Sequence, residues 1–136
     1  MPSRIINFLF NFSHKPLAVA QILCTFASSL KSKRLMVKHI ILWTLDSKLS
    51  EEEKKIVKAG IKAGLEGLVG KVPGLLDVKV HIDGRLDSSN ADVMLDSTLE
   101  SPEALKAYAQ HPDHVAVANT KVRPYTIQRS CLDFEV

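Results

Sequence analysis

The stretch VKHIILWTL, residues 37–45, is apolar at nearly every position and ends at the turn residues Asp46 and Ser47. A short apolar run bounded in this way predicts a β-strand that is covered on both of its faces. Side chains alternate along a strand, so one face presents Val37, His39, Ile41, Trp43 and Leu45. The opposite face presents Lys38, Ile40, Leu42 and Thr44.

A helix is predicted directly after this strand. Ser50 and Glu53 have the spacing of a capping box, in which each side chain accepts a hydrogen bond from the backbone N–H of the other residue. Apolar or small residues then recur at helical spacing, at Val57, Ile61, Gly64, Leu65, Leu68 and Val72. Gly70 is expected to stop this helix, and Pro73-Gly74 to turn the chain.

The remaining segments predict three more strands and two more helices. A half-buried strand is indicated by alternating apolar residues, which are Leu76, Val78, Val80 and Ile82. A polar loop over 84–90 leads to a third strand over 91–99. Ser101 is expected to cap a second helix that ends at His111-Pro112, and a short helix follows as far as Val122. The last strand is predicted over 125–136.

The predicted order is β-α-β-β-α-β, which is the ferredoxin-like arrangement of an α+β domain. It implies a four-stranded antiparallel sheet with both main helices on one face. The other face would then be uncovered, although the first strand is apolar there too. A second copy of the chain packed sheet to sheet would cover it, so the sequence predicts a homodimer that forms a dimeric α/β barrel.

Charge and composition exclude several classes of partner. The chain has 136 residues and a formal charge of +3, but residues 36–136 carry 13 basic and 15 acidic side chains. The predicted domain therefore lacks the basic face that nucleic acid requires, and no apolar stretch is long enough for a membrane span. No cysteine or histidine cluster has metal-ligand spacing, and no glycine-rich phosphate loop is present, so neither metal nor cofactor is predicted. Cys131 is expected to be a small buried apolar residue.

Residues 1–35 have a different composition from the predicted domain, with five basic residues, no acidic residue and an apolar run at 17–27. Three interpretations are open: a start codon assigned too early, with Met36 as the true start; a cleaved targeting segment; or a structured N-terminal helix. The first predicts a cytoplasmic protein, and the second an organellar or exported one. The domain itself is placed at residues 36–136.

Three stretches resemble one known family: Val37–Ile40 with the apolar residues that follow, Val72–Leu75, and SPEALKAYAQHPDH at 101–114. Together with DFEV at 133–136 they are similar to the stress-responsive A/B barrel (Dabb) family. The resemblance implies a homodimeric barrel. Many members have no assigned activity, and one plant member closes a polyketide ring without a cofactor.

The resemblance also implies a site. His39, Tyr108 and His114 match polar residues of the plant cyclase and are the predicted catalytic residues. His111 and Trp43 are the predicted ligand-binding residues. Val93 occupies a position where the cyclase has a further histidine, which argues against cyclase activity in particular.

Each of these residues also has a structural interpretation. His39 would donate to a backbone carbonyl, Tyr108 and Trp43 would pack in the core, and His111 would bind the last carbonyls of its helix. His114 lies in the first turn of a helix, where the dipole disfavours a charged imidazole.

Two functions follow from these alternatives. One is a protein of unassigned activity that binds a small apolar or carbonyl ligand between sheet and helices. The other is a cofactor-independent acid–base lyase or cyclase that acts on a polyketide-like carbonyl compound.

Overall fold

The computed structural model describes residues 36–136, and the predictions for residues 1–35 lie outside the described residues. Four strands form one antiparallel sheet, in the order β2-β3-β1-β4. They are β1 (Val37–Leu45), β2 (Leu75–His81), β3 (Val93–Leu99) and β4 (Thr126–Glu135). The helices are α1 (Glu51–Glu66), α2 (Pro102–Gln110) and α3 (Pro112–Val117). The ferredoxin-like prediction is therefore confirmed.

Helix α1 begins with the predicted capping box. The Glu53 N–H donates to Ser50 Oγ at 3.2 Å, and the Ser50 N–H donates to Glu53 Oε2 at 2.7 Å. The helix ends at Glu66, four residues before the predicted stop, and Gly70 then has a φ of +87° in the turn that follows. A positive φ of this size favours glycine, so Gly70 shapes the turn and not the helix end.

Helix α2 has its predicted start, because the Ala104 N–H donates to Ser101 Oγ at 3.0 Å and Pro102 occupies the first helical position. His111 is extended and separates α2 from α3. The chain continues from α3 through a wide π-helical turn, Ala118–Val122, and a 3-10 turn, Arg123–Tyr125, before it enters β4.

One assignment within β2 is wrong. Leu76 was predicted on the inner face, but it is 47% exposed, while Leu75 is 5% exposed and packs in the core. The register between β2 and β3 shifts between Leu75 and Asp77. This irregularity adds one residue to β2, so that the residues before it point to the opposite face of the sheet from the one that simple alternation predicts. Strand β3 also begins at Val93, two residues later than predicted.

The helices cover one face of the sheet. The core includes Ile41 and Trp43 of β1, Ile61 and Leu65 of α1, and Tyr108 of α2. The opposite face has no covering element within residues 36–136. The strand registers place apolar residues of three strands on it, and these are Ile40, Leu42, Met94, Leu132 and Phe134. Among the described helices, none has the length and apolar character needed to cross a membrane.

Candidate functional site

A cavity of about 390 Å³ lies between the helix-covered face of the sheet and the segment from α2 to the 3-10 turn. Its size is at the lower end of the range for small-molecule sites. Most of its wall is apolar, and that part consists mainly of Ile41, Trp43, Leu65, Leu95, Leu105 and Val122. Residues at the start of β4 form the remaining side, where the strand is exposed.

The three predicted catalytic residues line this cavity together. The imidazole of His39 on β1 lies edge-on to the Tyr108 ring, with the ring centroids 6.1 Å apart. The Tyr108 ring on α2 packs against the His114 imidazole of α3 at 4.2 Å. Trp43, predicted to bind ligand, also contributes to the wall. The fold therefore brings together residues that are 75 positions apart in the chain.

His111 is not among the residues that line the cavity. Its Nδ1 accepts a hydrogen bond from the Asp113 N–H at 3.1 Å, so its side chain caps the start of α3. The sequence had suggested two roles for His111, ligand binding or bonding to the last carbonyls of α2. In the structure the side chain instead caps α3, because the extended backbone at His111 directs the residue toward the next helix.

His39 forms a pair with an acidic residue that no sequence pattern predicts as its partner. Strand β4 places Asp133 directly opposite His39, and Nδ1 of His39 lies 2.5 Å from Oδ1 of Asp133. Because a carboxylate only accepts, Nδ1–H is the donor, and in a neutral imidazole of this tautomer Nε2 is the acceptor. The carboxylate thus takes the place of the backbone carbonyl expected as partner. The missing information was the register between β1 and β4.

Tyr108 is 1% exposed, and its hydroxyl has no hydrogen-bond partner among residues 36–136. Burial raises the pKa of this phenol to about 12. The group therefore stays protonated and is a hydrogen-bond donor at neutral pH. Leaving such a group unpaired costs about 1–3 kcal/mol, and a ligand that reached the Tyr108 hydroxyl from the cavity would remove this cost.

His114 has one ring nitrogen fixed by the backbone. Its Nδ1–H donates to the Ala109 carbonyl at 3.2 Å, which leaves Nε2 as an acceptor. Burial lowers the pKa of His114, and nearby His39, Arg123 and Arg129 lower it further, while the hydrogen bond to the Ala109 carbonyl opposes this shift. This shift favours the neutral imidazole, and its main cause is burial and not the helix dipole on which the prediction was based.

Cys131 is exposed on β4, and its assignment as a buried apolar residue is wrong. It lies on an edge strand, where no helix covers it. Its sulfur is 3.9 Å from Nδ1 of His39 and 3.5 Å from Oδ1 of Asp133. Local desolvation and the Asp133 carboxylate raise the pKa of the thiol, so it is not an activated nucleophile.

The donor atoms of His39, Cys131 and Asp133 lie within 4.8 Å of one another, which is a possible arrangement for a metal ion. Two ligands of a tetrahedral zinc ion are about 3.3 Å apart, given metal–ligand distances near 2.0 Å. The 2.5 Å separation between His39 and Asp133 is shorter and corresponds to a direct hydrogen bond. The cluster as observed is therefore a hydrogen-bonded pair with a thiol beside it.

The stress-responsive A/B barrel domain model matches residues 37–136, which cover the whole sheet and every residue of this site. The chain belongs to this family.

Solved structures of similar fold agree with the family assignment. A dimeric protein of unknown function with a ferredoxin-like fold from Bacteroides fragilis is 30% identical, with a TM-score of 0.69, and the match covers 74% of this chain and 96% of that one. A dimeric ferredoxin-like protein of unknown function from Thermobifida fusca is 22% identical, with a TM-score of 0.63 and coverage of 76% and 93%.

A hydroxynitrile lyase from Passiflora edulis is 18% identical, with a TM-score of 0.62, and the match covers 76% of this chain and 94% of the lyase. At this level of identity the likeness shows a shared fold alone. No curated protein matches the chain. The family assignment thus establishes the A/B barrel architecture, and the chemistry must be argued from the cavity.

Proposed function

We propose that this A/B barrel protein binds a small carbonyl compound in its cavity and transfers a proton at the carbon next to the carbonyl, without a cofactor. The observation that carries the proposal is the buried Tyr108 hydroxyl, which has no partner among residues 36–136. A phenol with a pKa of about 12 donates a hydrogen bond to a carbonyl oxygen and stabilises the negative charge that develops there.

His39 is the proposed base. Its Nδ1–H is bound to Asp133 at 2.5 Å, so the ring presents Nε2 to accept the proton from carbon. The imidazolium that forms is stabilised by the neighbouring carboxylate, which is the role of the acid in a histidine–aspartate pair. His114 is less suited to this role because its surroundings lower its pKa. It orients the Tyr108 ring against which it packs.

The protein is also proposed to act as a homodimer. The uncovered sheet face presents Leu42 and Phe134, which are 40% and 43% exposed. The relatives from Bacteroides fragilis and Thermobifida fusca are described as dimeric. A second copy that packs against this face would bury apolar side chains that otherwise contact water.

The proton transfer can be tested by hydrogen–deuterium exchange. Butyrophenone, a small neutral ketone, is incubated with the full chain in deuterated buffer, and loss of the signal from the protons next to its carbonyl is followed by NMR. We expect the protein to accelerate exchange, and Tyr108→Phe to reduce that acceleration by about a hundredfold. Tyr108→Phe should not lower thermal stability, because it removes only an unpaired buried hydroxyl.

Tyr125→Phe is the matched control. Tyr125 packs against the core but does not line the cavity. This variant should therefore accelerate exchange of the ketone's protons as much as the wild type does. Equal exchange by wild type and Tyr108→Phe would contradict the proposal. A loss of stability in Tyr108→Phe would show instead that the hydroxyl has a structural role.

A second candidate is ligand binding without catalysis, and Val93 favours it. This residue is 2% exposed, pairs with Trp43 across β1 and β3, and does not line the cavity. The plant cyclase that this chain resembles has a histidine at the position of Val93, so this chain lacks one of the polar residues that the cyclase has. Binding of the ketone with no exchange above the buffer rate would support this candidate.

A further inference from the structure

The cavity has an uneven distribution of charge. Besides its histidines, the cavity is lined by two positively charged side chains, Arg123 and Arg129. No Asp or Glu within residues 36–136 lines the cavity. This is unexpected in a region that carries 13 basic and 15 acidic residues. The two arginines come from different elements, the 3-10 turn and β4, and both line the cavity.

Neither arginine forms an ion pair within the described part of the chain, whereas some of the other cations of the domain do. Lys38 lies 2.9 Å from Asp96, Lys62 lies 2.7 Å from Glu66, and Arg85 lies 3.2 Å from Asp92. Arg123 donates instead to the amide oxygen of Asn119, which orients the guanidinium without neutralising it. The cavity opening therefore carries two positive charges.

We infer that the compound bound by this cavity is a small oxo acid, whose carboxylate is held by Arg123 and Arg129 while its carbonyl oxygen meets the Tyr108 hydroxyl. This inference rests on the proposed function and adds the substrate class. A guanidinium binds a carboxylate through two parallel hydrogen bonds, and an opening of this charge attracts anions. The apolar wall, with Trp43 and Leu105, accommodates the rest of the molecule.

The arginine charges reach the same part of the cavity as the tyrosine. Arg123 and Arg129 both act on His114, and His114 packs directly against Tyr108 with the ring centroids 4.2 Å apart. In this proposal, a molecule with its carboxylate at the arginines extends past His114 toward Tyr108. Transfer of its proton to His39 would leave an enolate, whose oxygen is held by Tyr108.

The test compares 3-benzoylpropionate with its methyl ester, because the two share the ketone and the carbon chain and differ in charge. Binding to the full chain is measured by calorimetry. We expect the acid to bind at least about tenfold more tightly than the ester. Arg123→Met and Arg129→Met should each reduce this preference, and the double variant should abolish it. Lys106→Met, which removes an exposed lysine of α2 outside the cavity, should keep it.

NMR titration of His114 gives a second measurement. A carboxylate bound to the arginines offsets their charge, so the pKa of His114 should rise with the acid and not with the ester. If the protein binds the ester and accelerates exchange of the protons next to its ketone, but binds the acid no more tightly than the ester, the substrate class is wrong and the proposed function stands. If neither compound binds, both fail. A preference for the acid that survives in the double variant would show that the carboxylate binds somewhere other than at the two arginines. If inorganic phosphate competes as strongly as the acid does, the site binds anions in general and the assignment of a carboxylate is wrong.

Discussion

The two faces of the sheet have similar residues on β1 but different surroundings. On the covered face, Ile41 is 1% exposed and packs against the helices that also form the cavity. On the other face, the adjacent residue Leu42 is 40% exposed. Both side chains are aliphatic and of similar volume, so their burial differs because α1 and α2 pack on only one side.

This difference separates two requirements of the fold. The covered face must be apolar for the chain to fold, and it also has to leave room for a cavity with polar groups in its wall. The uncovered face must be apolar only if a second copy packs against it. Substitutions of neighbouring residues on one strand can therefore separate folding from association.

The largest effect is expected when a charge is placed on the covered face. Ile41→Asp puts an unpaired carboxylate in the core, which should destabilise the domain by about 4 kcal/mol or more and prevent folding. Leu42→Asp places the same charge one residue later on the other face. It should leave a folded chain of unchanged helical content that no longer dimerises.

Circular dichroism and light scattering distinguish these outcomes. Val80→Asp on β2, where the native residue is 2% exposed, should unfold the chain as Ile41→Asp does. His81→Asn, a substitution at the next and exposed position, should fold normally. A wild-type monomer would contradict the dimer proposal, and a folded Ile41→Asp would contradict the assignment of the core face.

Much of this architecture was predictable from the sequence because it depends on local patterns. Alternation fixed the faces of β1, the capping box fixed the start of α1, and Ser101-Pro102 fixed the start of α2. The irregularity at Leu76 was not predictable, because it depends on how β2 meets β3.

The site was predictable only in part. His39, Tyr108 and His114 were selected by resemblance, and the fold places them in one cavity wall together with Trp43. The sequence does not predict the roles of Asp133, Arg123 and Arg129. Their proximity to His39 and to the cavity depends on the register of β4 and on the path of the chain after α3. Neither feature has a periodic signal in the sequence.

A smaller effect concerns how closely the helices approach the covered face. Gly74 has a φ of +81°, and a Cβ at this position would lie 2.7 Å from the Cβ of Ala104 on α2. Gly74→Ala should therefore cost about 2–4 kcal/mol, from backbone strain and from the displaced helix. Chemical denaturation measures the loss.

Gly84→Ala is the control for backbone strain alone. Gly84 has a similar φ of +72°, but a Cβ there meets nothing within 4 Å. This variant should lose only about 1 kcal/mol. Equal losses of stability in the two variants would show that the close contact between Gly74 and α2 does not contribute to holding the helix on the sheet.

The smallest effect is expected at the end of α1, where side chains bind the edge strand β2. Glu66 Oε1 accepts from the Val80 N–H at 3.0 Å and from Lys62 at 2.7 Å, and Lys62 also donates to the Val80 carbonyl at 2.9 Å. These two side chains satisfy the outward backbone groups of an unpaired edge and hold α1 to the covered face.

The hydrogen bond from Lys62, followed by that from the Val80 N–H, lowers the pKa of Glu66 below its ordinary value of 4.5. A lowered pKa in the folded state contributes stability above the unfolded pKa, and this contribution is lost as the pH falls through the folded pKa. Glu66→Gln should therefore lower the free energy of unfolding by about 1 kcal/mol at pH 7, and by less below pH 4. Glu52→Gln removes an exposed carboxylate 3.4 Å from Lys55 and should have no measurable effect at either pH. If the Glu66→Gln deficit does not shrink on acidification, the charge of Glu66 does not stabilise this contact, and α1 is held to the edge strand by packing alone.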